Sequence, residues 1–285
     1  MSIVAETDIR LEADLGMMMG SDPVKMGQTL SLEHYNSSEL FELAVELIQL
    51  NDWTSFVNVV EYGVSSDWID GEGNSLLHWS VMAQQWTYVA WLLEQGWDID
   101  LANSSGDTSI HLSMLLGNYE VSRLLLHYGA NVNVSENLMG ATPIHYAAIH
   151  DSSSLLELLG NYGANFSLQD YQGATPLHWA MVKGVLDSVQ FLVQKPDLVS
   201  LTDRFGATPL HWVCQFDRTD LLSVLLSYQF NWNVYDMFGA TPLDWAFSHQ
   251  SYGVLSDFQS RLLSGSLFEL TGTYATELWG VKAFQ

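Results

Sequence analysis

The chain has 285 residues, 48% of them hydrophobic and 12% aromatic, which is ample to bury a core. Its formal charge of −24 comes from 33 acidic against 9 basic residues, so its surface repels both nucleic-acid phosphates and anionic lipid headgroups. That balance argues against direct nucleic-acid binding, and the single cysteine, Cys214, excludes an intramolecular disulfide and any Cys-based zinc cluster.

Residues 1–36 form an acidic leader in which Glu6, Asp8, Arg10, Glu12 and Asp14 stand where a secretory signal needs a basic flank and an apolar stretch. A Met17-Met18-Met19 cluster comes next, and the leader is read as a partly disordered segment that lies over the first repeat. No apolar run reaches the length of a membrane span, so a soluble chain without membrane insertion, in a reducing cytoplasmic compartment, is expected. Between Lys25 and Arg123 there is no Lys or Arg, whereas acids recur from Glu33 to Glu120, among them Glu72 and Asp107. This anionic block either keeps the chain dispersed or steers a cationic partner.

Helical periodicity starts at residue 37. Leu40, Phe41, Ala44, Leu47 and Ile48 share one face while Glu39, Glu42 and Glu46 point elsewhere; a second helix from about Trp53 ends at Gly63. Residues 37–63 are thus a polar-faced helix pair that caps the N-terminal end of a longer array. Six copies of one pattern make up that array. Gly173-Ala-Thr-Pro-Leu-His-Trp179 recurs as Gly206-Ala-Thr-Pro-Leu-His-Trp212, with weaker copies led by Gly73, Gly106, Gly140 and Gly239, at spacings of 33 or 34 residues. The parts have physical reasons. Glycine ends a tight turn at positive φ, threonine caps the next helix with its hydroxyl, and proline takes the first helical position, where a missing N–H costs nothing. Each unit then runs into a second apolar helix ended by a left-handed residue, as at Gly96, Gly129 and Gly163. Pro196 and Gln229 stand where that glycine is expected, so those two helix ends should be locally reshaped.

The pattern resembles the ankyrin repeat, and the resemblance covers residues 38–263. It implies an all-α ankyrin-repeat solenoid of stacked helix-turn-helix units joined by short β-turn or hairpin loops, occupying residues 37–263. The C-terminal end is capped by the last helix with Val254, Leu255, Phe258, Leu262 and Leu263. Residues 264–285 carry Leu267, Phe268, Tyr274, Leu278, Trp279 and Phe284 and are too aromatic for a disordered end; packing on the last repeat is expected, with a linear motif that docks elsewhere as the alternative.

Catalytic and metal readings fail on geometry. His78, His111, His145, His178 and His211 recur once per repeat, but stacked helices lie about 8–10 Å apart and cannot share one zinc ion, whose ligands must each reach about 2 Å. The resemblance implies that they are structural, bonding to turn backbone. Cys214 lies three residues from His211 but occupies a small-residue position, like Ala148, so it is a packed thiol. Openings such as Leu-His-Trp-Ala also occur in ankyrin domains preceding some membrane-bound palmitoyltransferases; this chain lacks their Asp-His-His-Cys segment and membrane helices. No cofactor and no enzymatic activity are implied.

In ankyrin proteins the turn tips and first helices line a concave face. The two residues before each lead glycine run Gly71-Glu72, Ser104-Ser105, Leu138-Met139, Tyr171-Gln172, Arg204-Phe205 and Met237-Phe238. A series of large apolar groups at solvent-facing tips has no folding rationale, which makes Leu138, Met139, Tyr171, Arg204, Phe205, Met237 and Phe238 a candidate interface. The resemblance adds His150, Lys183, Gln215, Phe216 and His249 on the first helices. Trp79, Tyr146, Trp179, Trp212 and Trp245 form an aromatic stripe read first as packing between repeats and second as ligand contact, with Glu72 and Asp107 as anionic candidates of the same rank. Two functions fit: an adaptor or scaffold clasping a protein partner, a basic one being a candidate, or an acidic inhibitor covering the basic face of a nuclease or other nucleic-acid-binding protein.

Overall fold

A computed structural model describes residues 32–228 and 230–263. The leader before residue 32, the aromatic tail from residue 264 and the expectation at Gln229 therefore lie outside the described residues. Among the described residues there are fourteen α-helices and one short 3-10 helix, and no strand. They are α1 (Ser37–Leu50), α2 (Trp53–Gly63), α3 (Leu76–Met82), α4 (Trp86–Glu94), α5 (Ser109–Leu115), α6 (Tyr119–His127), α7 (Pro143–Ala148) and α8 (Ser153–Asn161). Then come α9 (Pro176–Lys183), α10 (Leu186–Val193), the 3-10 helix (Pro196–Ser200), α11 (Pro209–Gln215), α12 (Thr219–Ser227), α13 (Pro242–Ser248) and α14 (Tyr252–Leu263). No described helix is long and apolar enough to cross a membrane.

The described residues divide into two compact units, one up to Ala147 together with Glu157–Ala164, the other Ala148–Leu156 together with those from Asn165 on. In the first unit α1 starts from a reciprocal cap. Asn36 accepts from the Glu39 amide at 3.0 Å, and the Glu39 carboxylate accepts from the Asn36 amide at 2.8 Å. The apolar face of α1 (Leu40, Phe41, Ala44, Leu47, Ile48) is buried as its spacing predicts, against α2 and α3. Behind it Trp53, Phe56, Tyr88 and Trp91 interlock edge to face, the closest pair being Phe56 and Tyr88 at 4.8 Å between centroids. Tyr88 is fully buried, and its hydroxyl has no hydrogen-bond partner among the described residues. Burial, with the nearby Asp52 charge, pushes its phenol up to about 12.

In the second unit first helices pack on first helices (α9 on α11, α11 on α13) and second on second (α10 on α12, α12 on α14), the nearest-neighbour pattern that lets each pair share its core with the next. Leu177, Met181, Leu210, Val213, Leu221, Leu225, Val254 and Phe258 fill it. Cys214 is fully buried there, and burial raises its thiol so far that it stays protonated. The helix end at Pro196 is reshaped as expected: proline cannot take the left-handed cap, and a 3-10 turn, Pro196–Ser200, carries the chain onward. Gly96, Gly129 and Gly163 keep φ of +80°, +92° and +85° at the helix ends predicted for them.

The recurring histidines are the main rivets. At the start of α9 the Thr175 amide donates to His178 Nδ1 at 3.1 Å, while His178 Nε2 lies 3.2 Å from the Ala207 carbonyl of the next turn. A backbone amide can only donate, so Nδ1 carries no proton and the Nε2 proton goes to the carbonyl. His78, His111 and His211 repeat the arrangement, with Asp107, Val134 and Ala240 supplying the carbonyls. Sequence reasoning assigned the cap to the threonine hydroxyl alone. The structure adds the histidine ring as its reciprocal partner, and in the last repeat Asp244 replaces it, accepting from the Thr241 amide at 2.8 Å.

Candidate partner-binding surface

Each turn tip is built around one acidic or amide side chain that motif reading passed over. Asp170 opens its turn; one oxygen accepts from the amides of Gln172 and Ala174, both at 2.8 Å, and the other accepts from the Trp179 indole N–H at 2.9 Å. Asp203 does the same for Phe205, Ala207 and Trp212, and Asp236 for Phe238, Ala240 and Trp245. Asp70 holds Glu72, Asn74 and Trp79. Burial alone would raise the Asp236 carboxyl, but the bonds from Ala240, Trp245 and Phe238 outweigh it and hold the group below the usual carboxylate range. The same balance lowers Asp70.

This explains the aromatic stripe. Trp79, Trp179, Trp212 and Trp245 each bridge the first helix to the Asp nine residues earlier, so their polar edge belongs to the turn and only ring surface is left for contact. The exceptions obey the same logic. Asn103 keeps the two amide contacts, from Ser105 and Asp107, but Leu112 stands in the tryptophan place and asks for no acceptor. In the 34-residue repeat Glu136 replaces Asp, and its longer arm spans the extra residue: it accepts from the amides of Leu138, Met139 and Ala141 while being almost wholly buried. Tyr146 stands at the tryptophan position there; burial, then the charges of Asp107 and Glu136, push its phenol up. Asp107 is half-buried, raised by burial and by Glu136, so it sits under the turn more than on the surface, whereas Glu72 is exposed at its tip.

Within each unit the tips stay firm because a backbone bond links one to the next. In the first unit the Ser104 amide donates to the Glu72 carbonyl and Asn137 to Ser105, both at 2.9 Å. In the second, Arg204 donates to Gln172 at 2.9 Å and Met237 to Phe205 at 2.8 Å. On this frame the predicted apolar tips stand in solvent. Leu138 is 72% exposed, with Met139 beside it in the first unit. In the second unit Tyr171 and Met237 are exposed, Phe238 is 75% exposed, and Phe205 is the most covered of the set at 37%. The reason is a neighbour on each side: the Phe238 ring stacks on it at 6.5 Å, and the Arg204 guanidinium lies 4.7 Å from its centroid.

The first-helix candidates sit at or just past the ends of those helices. Lys183 ends α9, Gln215 ends α11, and Phe216 and His249 are the residues that close α11 and α13; Phe216 is exposed with its ring 6.4 Å from Trp212. His150 lies past the end of α7 and its carbonyl accepts from the Ser188 hydroxyl. Tyr235 and Phe247, both exposed, were not predicted. Tyr235 precedes the turn Asp where other repeats carry Gln169 or Thr202, a polar-to-aromatic change that an alignment of the repeats could have flagged. Among the described residues no cluster of His, Cys, Asp and Glu is arranged to hold a metal ion.

Family profiles described as ankyrin repeats (3 copies) match residues 43–136 and 134–200, and one described as ankyrin repeats (many copies) matches residues 177–226. No curated protein matches the chain.

Proposed function

Because the chain belongs to the ankyrin-repeat family, whose repeats in general mediate protein–protein interaction, we propose that it is an adaptor or scaffold that clasps a protein partner on its turn tips. The supporting observation is the combination of exposure and rigidity at those tips. Phe205 and Phe238 form a stacked pair in water, on turns whose amides are tied down by Asp203 and Asp236. Exposed aromatics on a pre-ordered frame bind at little entropic cost, which is how a few residues come to dominate an interface. The first unit adds a net negative charge: its only described Lys or Arg, Arg123, is paired with Glu120 at 3.0 Å. A partner with a basic region would be drawn to it, and the association rate would then fall as salt rises. The aromatic tips favour the adaptor over a purely electrostatic inhibitor, which would have no use for them.

The test is crosslinking and mass spectrometry of the protein from its native cell, beside a variant carrying Phe205→Ala and Phe238→Ala. Truncating an aromatic anchor costs about 2 kcal/mol at an interface, roughly thirtyfold in affinity, so with both removed the partner should be lost from the crosslinked set. An unchanged partner profile would show the tips to be bystanders.

A further inference from the structure

The second unit contains a cleft that the tips do not account for. Ile149, Trp179, Val182, Lys183 and Trp212 line a space of about 180 Å³ whose wall is almost entirely apolar. Both indole N–H groups are engaged, Trp179 with Asp170 at 2.9 Å and Trp212 with Asp203 at 3.0 Å, so the two rings are locked in place and offer the cleft ring surface alone. The volume is close to the roughly 150 Å³ that houses one benzene-sized group and below the ~300–1,000 Å³ of small-molecule pockets. That is room for one large side chain, not for a cofactor.

One cation stands on the wall of this socket. Lys183 is exposed in the last turn of α9, and no described carboxylate lies within ion-pair distance of it, in a chain with 33 acidic residues. At the same helix end the Arg218 guanidinium is anchored on the Val182 carbonyl through Nε at 2.8 Å and Nη2 at 2.6 Å, with the Asp220 carboxylate next to it beside Gly184, which leaves Lys183 as the cation on the wall of the socket. An apolar socket beside an unpaired ammonium is complementary to an apolar side chain next to a carboxylate. We propose that the cleft receives an extended segment of a protein partner in which a large aliphatic or aromatic residue is flanked by Asp or Glu. The side chain seats between Trp179 and Trp212 and the carboxylate meets Lys183. The inference rests on the protein-binding reading above and deepens it by naming the chemistry of a second contact.

The experiment is an NMR titration of the full chain with ¹⁵N-labelled indoles, the Trp179 and Trp212 signals being assigned from Trp179→Phe and Trp212→Phe. Three synthetic peptides in a Gly/Ser background serve as probes: Leu flanked by Glu, Leu flanked by Lys, and Ala flanked by Glu. The Glu-Leu peptide should move both indole signals and bind about fivefold tighter than the Lys-flanked one, the most that an exposed ion pair of up to ~1 kcal/mol confers, and tighter than the Ala peptide, which keeps the charges but lacks the side chain that fills the socket. Lys183→Glu should reverse the order of the two Leu peptides. Equal binding of those two peptides, unmoved Trp179 and Trp212 signals, or an unchanged order in Lys183→Glu would each overturn the proposal. So would indole shifts that track protein concentration without peptide, which would mark a second copy as the occupant. If the peptides fail while Phe205→Ala with Phe238→Ala still loses its partner, the socket falls and the tip reading stands; if the peptides bind as expected while that double variant keeps its partner, the tips fall and the socket stands.

Discussion

His111 offers a direct measure of how strongly the histidine rivets couple stability to pH. Its ring is fully buried, accepts at Nδ1 from the Thr108 amide at 3.2 Å, and meets the Val134 carbonyl through Nε2 at 3.1 Å. Burial lowers its pKa from 6.5 to about 4, against the opposing pull of the Val134 and Ala141 carbonyls and the Glu136 charge. A second proton would have to sit on Nδ1 and break the cap. Since the folded value lies below the unfolded one, this stabilisation is complete above pH 6.5 and is lost as pH falls toward 4. Between about pH 7.5 and 5.2 the unfolded chain takes up nearly one proton that the folded chain refuses, a loss of about 1.8 kcal/mol at ~1.36 kcal/mol per pKa unit. The assay is urea unfolding of the wild type and His111→Gln at both pH values. Glutamine can still accept from the Thr108 amide as in a capping box, so the variant folds, but it cannot titrate. The variant is less stable at neutral pH, and its deficit should shrink by about 1.8 kcal/mol at the lower pH, every other titrating group cancelling between the two proteins. A deficit that stays constant within about 0.5 kcal/mol would show that His111 is not held neutral and would refute the rivet chemistry.

Two further outcomes test the turn frame. Asp203→Asn puts an amide beside the Trp212 N–H and leaves that donor without an acceptor, costing about 1–3 kcal/mol; Trp212→Leu in the same chain, copying the natural Asn103 and Leu112 pair, should recover a good part of it, as a double-mutant cycle by denaturation would read. Gly173→Ala and Gly239→Ala both place a side chain at a φ near +78° in the left-handed region, at about 1–2 kcal/mol each, but the added Cβ at Gly173 would also come within 2.5 Å of the Arg204 amide nitrogen while at Gly239 it would meet nothing. Gly173→Ala should therefore be the more damaging in thermal unfolding; equal losses would mean that the neighbouring turn yields freely.

The sequence alone determined the repeat, its period and its helix pairs, because those depend on local chemistry. Glycine at positive φ, proline at the first helical position and apolar residues at helical spacing act within a few residues of themselves, and six copies make the register unmistakable. It also placed the apolar tips, since a residue pair at the apex of a tight turn has nowhere to hide. Tertiary structure decided what those features do. The stripe of Trp179, Trp212 and Trp245 reads in sequence as generic packing; only the folded turn brings each indole to an Asp nine residues away and fixes the ring. The pairing of Glu136 with a turn one residue longer was open to inspection, but its meaning needed the three amides that its carboxylate gathers. The stack of Phe238 on Phe205 and the socket beside Lys183 join residues about 33 apart in the chain. Contacts of that kind arise from how one repeat seats on the next, and periodicity alone carries no information about the direction in which a side chain then points.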